Sequence, residues 1–78
     1  MQIQIFGALK KYFDSILLVE SESITNGHDL INYLKDLVPE SVPVLEITRL
    51  AINQELVALD QPIKKDDELA LLPPFSGG

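Results

Sequence analysis

The segment NGHDLINYLKDLV, residues 26–38, decides how this chain is built. Leu30, Ile31, Leu34, Leu37 and Val38 fall at i, i+1, i+4, i+7 and i+8, which is one face of a helix. Asn26 can cap the N-terminus, and Asp29 follows three residues on, the spacing of a capping box. Val38 precedes Pro39, and the proline ring biases that residue away from helical dihedrals, so the helix is expected at 27–38. A stripe of this width must be buried against another layer.

The flanking sequence supplies that layer. Residues 2–6, QIQIF, alternate polar and apolar, which puts Ile3 and Ile5 on one face of a strand. Gly7 breaks the run, and 8–13 reads as a short helical turn that folds Leu9, Tyr12 and Phe13 back onto the sheet. After a turn at Asp14-Ser15, residues 16–20 form a second strand, antiparallel to the first. Beyond the helix, 39–46 holds two prolines and no clear period and reads as a connection. Residues 48–53, TRLAIN, form a third strand with Leu50 and Ile52 on one face. Asn53-Gln54 turns the chain into a short strand at 56–58, and Asp66-Asp67 turns it into the last strand at 68–73. Pro73 has no N–H for a ladder, so pairing should stop near Leu72. The order is β-β-α-β-β-β. The fold class is therefore α+β: a β-grasp, ubiquitin-like roll with a mixed sheet on one main helix. Residues 1–73 form that domain and 74–78 a flexible C-terminal tail.

Composition narrows the function. The chain has 78 residues, no cysteine and a net charge of −6. One small core of Leu, Ile and Val must hold the fold without disulfides or a thiolate metal site. Six scattered basic residues do not make a phosphate-binding surface, so no nucleic-acid or membrane partner is expected. Neither a membrane-crossing run nor a leader pattern is present, and the expected compartment is the cytoplasm. No metal site is expected: His28 stands alone, and the acids Asp66, Asp67 and Glu68 read as a solvated turn. No side-chain constellation here activates a nucleophile.

The unusual chemistry lies in LLPPFSGG, residues 71–78. Pro73 and Pro74 hold the exit from the last strand extended. Phe75 offers a partner groove something to grip, worth about 1.5–3 kcal/mol if buried. Ser76 would meet the same partner. Gly77 and Gly78, lacking Cβ atoms, thread a channel too narrow for other residues. The group left to react is the carboxylate of Gly78, inert until it is activated as a mixed anhydride. Beside the tail, Phe6, Leu56, Leu72 and Phe75 are the candidate partner-facing residues. Burial of Phe6 and Leu72 in the core is the alternative.

Residues 50–78 resemble the sulfur-carrier small-subunit family of molybdopterin synthase. The likeness rests on Ala51-Ile52-Asn53, Asp67-Glu68 and Pro73-Pro74-Phe75-Ser76-Gly77-Gly78. The resemblance implies that a ubiquitin-activating-like adenylyltransferase uses ATP to adenylate Gly78. Sulfur from a donor protein then gives a C-terminal thiocarboxylate. It further implies a heterotetramer with the synthase large subunit, whose residues transfer the sulfur to a pterin precursor. The carrier itself holds no permanent cofactor and supplies no general acid or base. Where this family often has glycine in the last turn, this chain has Asp66, which is expected in a left-handed conformation at a small stability cost. Phe75 is bulkier than the family's usual residue there. A carrier for a thiamine- or cysteine-type pathway, a lysine-conjugated modifier and an inert β-grasp module remain alternatives.

Overall fold

In the computed structural model, residues 1–20 and 22–74 are described. Helix α1 spans Gly27–Leu37. Asn26 is extended, with φ −152°, and its Oδ1 accepts the Asp29 N–H at 3.0 Å. The return half of the capping box is displaced by one residue. Asp29 Oδ2 accepts the Thr25 N–H at 2.9 Å and the Thr25 hydroxyl at 2.7 Å, because Thr25 offers two donors at once. Val38 leaves the helical region, with φ −134° and ψ 87°, so α1 ends one residue before the expected position. Its N–H still donates to the Leu34 carbonyl at 3.0 Å, which makes it the cap.

The expected connection at 39–46 is instead ordered into helical turns. A 3-10 turn covers Pro39–Ser41 and a four-residue helix α2 covers Val42–Leu45. Each proline sits in the first turn of its element, where a missing N–H leaves nothing unpaired. The Ser41 hydroxyl donates to the Val38 carbonyl at 2.6 Å, and Leu45 is fully buried. Two prolines in eight residues hid this helical path from a periodicity reading.

The strands are β1 (Gln2–Ile5), β2 (Ile16–Leu18), β3 (Arg49–Ile52), β4 (Glu55–Val57) and β5 (Leu69–Leu72). They form one mixed sheet in the order β2-β1-β5-β3-β4. The β1–β2 hairpin is antiparallel, as expected, and a 3-10 turn at Gly7–Lys11 lies in its loop. The central pair β1 and β5 is parallel, with Ile3 opposite Leu69 and Ile5 opposite Leu71. Strand β5 pairs antiparallel with β3 up to Arg49 and Leu72, so the ladder stops where Pro73 ends it. Strand β4 starts at Glu55, one residue before the expected position, because Asn53 (φ 52°) and Gln54 (φ 70°) complete a two-residue turn.

The inward face of the sheet carries Ile3, Ile5, Leu50, Ile52, Leu69 and Leu71, all buried. Leu30, Ile31 and Leu34 of α1 meet them, and Leu9 and Phe13 close one end. This is the β-grasp arrangement. The expectation for Asp66 fails. Among the described residues only Asn53 and Gln54 are non-glycines with positive φ, so Asp66 carries no left-handed strain. The turn is held by the next residue: Asp67 Oδ2 accepts the Lys64 N–H at 2.7 Å.

Candidate functional site: the outward sheet face beside the C-terminal strand

Strand alternation settles which residues face away from α1. With Leu69 and Leu71 buried, Ala70 and Leu72 point outward, and both are half-buried. Phe6 follows β1 directly. Its N–H donates to the Leu71 carbonyl at 3.3 Å, which continues the parallel ladder and sets Phe6 level with Leu72. Phe6 is 39% exposed, so it lies outside the core. Arg49 pairs with Leu72 on the other side. Phe6, Leu72 and Arg49 thus form one row across the sheet at the end where the chain leaves it.

A second row runs parallel to the first. Ile16 pairs with Gln4, Gln4 with Ala70, Ala70 with Ala51, and Ala51 with Leu56. Leu56 is 57% exposed and Ile16 52% exposed, with small side chains between them. The structure therefore brings Phe6, Leu56 and Leu72 onto one face, and Leu72 leads straight into Pro73 (half-buried) and Pro74 (exposed). Phe75, Ser76, Gly77 and Gly78 lie outside the described residues, as does the flexibility expected of the tail. Arg49, Ala51, Ala70 and Ile16 complete the face and were missed from the sequence. The signal was present: placing Leu50 and Ile52 inward leaves Arg49 and Ala51 outward by alternation.

The far end of β5 is fastened by side chains. Asn53 Oδ1 accepts the Glu68 N–H at 3.0 Å, and Asn53 Nδ2 donates to Asp67 Oδ1 at 3.0 Å. The Asn53 N–H donates to the Glu68 carbonyl at 2.8 Å. The Lys64 amide and the Asn53 side chain together hold the Asp67 carboxyl below its ordinary value of 3.8. Asn53 and Asp67 thus act on the strand that carries the tail, and His28 stays exposed at the start of α1. Among the described residues no three His, Asp or Glu side chains converge on a metal position, and no helix is long and apolar enough to cross a membrane.

A five-stranded β-grasp sheet whose central strand runs out into Pro-Pro-Phe-Ser-Gly-Gly defines a small ubiquitin-like class. Residues 3–78 match the ThiS family, and the chain belongs to it. It is 37% identical over 81 residues to the molybdopterin synthase sulfur carrier subunit of Dictyostelium discoideum, covering 99% of this chain and 94% of the relative. Two solved structures share the fold. SAMP1 from Haloferax volcanii superposes with a TM-score of 0.76 at 24% identity, covering 99% of this chain and 97% of SAMP1. A chain in the complex of subunits 1 and 2 of molybdopterin-converting factor from Helicobacter pylori superposes with a TM-score of 0.67 at 23% identity. That match covers 99% of this chain and 96% of the other.

Proposed function

We propose that the protein is the sulfur-carrier subunit of a molybdopterin synthase, with the carboxylate of Gly78 as the group that takes up sulfur. The observation that carries this reading is the 37% identity to a curated carrier subunit along nearly the full length of both chains. The outward face beside β5 and the Pro-Pro-Phe-Ser-Gly-Gly segment support it.

In this scheme the Gly78 carboxylate attacks the α-phosphorus of ATP in an activating enzyme, and pyrophosphate leaves. The terminal sulfur of a donor protein's persulfide attacks the acyl carbon, and AMP leaves. A second thiol takes the donor sulfur as a disulfide and frees the thiocarboxylate. The tail then enters a large subunit, sulfur passes to the pterin precursor, and water restores the carboxylate. This chain contributes reach and docking: Leu72 anchors the end, Pro73 and Pro74 direct it, and Phe6, Leu56, Leu72 and Phe75 meet the partner. The acid–base chemistry belongs to the other subunit.

Intact-mass measurement tests the first half. With ATP, an adenylyltransferase and a sulfur donor, the chain should gain the mass of one oxygen-to-sulfur exchange, located on Gly78. Deleting Gly78, or adding one residue after it, should abolish the gain with the fold intact. An unchanged mass, or a gain elsewhere, overturns the reading. Co-purification tests the second half: a molybdopterin synthase large subunit should be retained. Retention of a thiazole synthase instead would reassign the carrier to another product.

A further inference from the structure

Strand β2 is an open edge of the sheet, and unlike most edges it carries no charge or proline within it: Ile16, Leu17 and Leu18 are all aliphatic. Its hydrogen-bonding groups can be assigned. The Val19 N–H donates to the Met1 carbonyl at 2.9 Å, the Met1 ammonium donates to the Val19 carbonyl at 2.7 Å, and the Ile5 N–H donates to the Ser15 carbonyl at 2.8 Å. Residues 15 and 19 therefore bond inward to β1, and by the two-residue period of an antiparallel ladder so does Leu17. The amides and carbonyls of Ile16 and Leu18 then point to the open side.

Apolar surface flanks this edge on both faces. On the outward face Ile16 is 52% exposed and Leu18 75% exposed. On the inward face an open groove of about 350 Å³ separates β2 from the end of α1. Its walls include Leu17, Phe13, Leu37 and Val38, with Lys10 and Lys11 at the end nearer Ile16. Leu37 is 53% exposed there. An added strand would place alternate side chains in the groove and beside Ile16 and Leu18.

We infer that the β2 edge accepts an extended segment of another protein. That segment has an apolar run and an acidic residue at the end lying beside Lys10 and Lys11. The charge pattern decides against a second copy as occupant. Pairing two β2 edges with Ile16 opposite Leu18 sets Asp14 opposite Glu20 at both ends, and like charges directly opposed are destabilising. For an incoming peptide, the two lysines outweigh Asp14. Antiparallel addition, the more stable mode per residue, puts the acid at the peptide's C-terminal end. The site is independent of what the tail carries.

The probe is the capped hexapeptide Ser-Ile-Val-Ile-Val-Asp, titrated into the full-length, isotope-labelled protein. Saturable shifts at the Ile16, Leu17 and Leu18 amides are expected, with exchange of the Ile16 and Leu18 amides slowed at least about tenfold at saturation. Replacing the peptide's Asp by Lys should weaken binding, and the K10E/K11E double variant should reverse that preference. Leu37→Ser, at an exposed position, should weaken binding without altering sulfur loading of Gly78. The proposal is overturned by absence of saturable shifts, by shifts confined to Phe6, Leu56 and Leu72, by indifference to Leu37→Ser, or by a doubling of mass showing that a second copy fills the edge.

Discussion

Gly27 shows what a single residue does here. A Cβ built on it would stand 2.8 Å from the Leu59 carbonyl oxygen and 2.8 Å from Leu50 Cδ2. That same carbonyl accepts the His28 N–H at 3.0 Å, so the start of α1 is pressed against residue 59 and bonded to it. Gly27→Ala should destabilise the fold by about 1–3 kcal/mol, read as a lower urea midpoint, because backbone rather than a flexible side chain must yield. Nothing in the string announces this, since the residue Gly27 touches lies a whole helix and hairpin away. Asn26 was legible because a cap and its receiver are three residues apart. Asp29 adds a pH dependence. The Thr25 hydroxyl, then the Thr25 and Asn26 amides, hold its carboxyl below the ordinary value of 3.8 against a small opposing effect of burial. A depressed folded value means the contribution is present above 3.8 and is lost as pH falls below it through the folded value. Asp29→Asn should therefore flatten the acid limb of a stability–pH curve and leave its slope near neutrality unchanged.

At the scale of elements, the β3–β4 hairpin is the strained one. Its two turn residues both have positive φ, and only the first is of a type that tolerates it well. Gln54→Gly should raise stability by about 0.5–1 kcal/mol, measured by thermal unfolding, since glycine occupies that region without a Cβ clash. Asn53→Gly, by contrast, keeps the turn but removes the bonds to Asp67 and Glu68, and should loosen the start of β5, seen as faster exchange of the Glu68 amide. Element type was readable wherever a period was long enough: α1 from its stripe, β1 from Gln-Ile alternation, β5 from its apolar run before Pro73. The path through Pro39 and Pro43 was not, because the prolines that suggested a loop in fact open two short helical turns. Asp66 misled for a related reason. A glycine habit at that position pointed to a left-handed backbone, yet here the side chain of Asp67 closes the turn with ordinary dihedrals.

For the whole molecule, one face of the sheet builds the core and the other is left open beside the tail. Phe6, Leu56 and Leu72 were legible as candidates because alternation separates them from their buried neighbours. Ile16 and the groove under β2 were not, since an edge is defined by strand order and not by any local pattern. Leu56→Asp, on the outward face at a 57% exposed position, should leave the unfolding midpoint nearly unchanged and weaken capture of the large subunit by at least about tenfold. A truncation to residues 1–74 should keep the fold and lose sulfur loading entirely, which separates the roll from its cargo.

The place of β5 also has a mechanical meaning. It is gripped on both sides, with three registered residue pairs to β1 and four to β3. A pull on Pro73 along the strand, such as withdrawal of the tail from a tight channel, loads both ladders in shear, so their bonds resist together instead of opening one after another. An edge strand in the same role would peel. Stretching the molecule between residue 1 and the tail should therefore give a high, single rupture force.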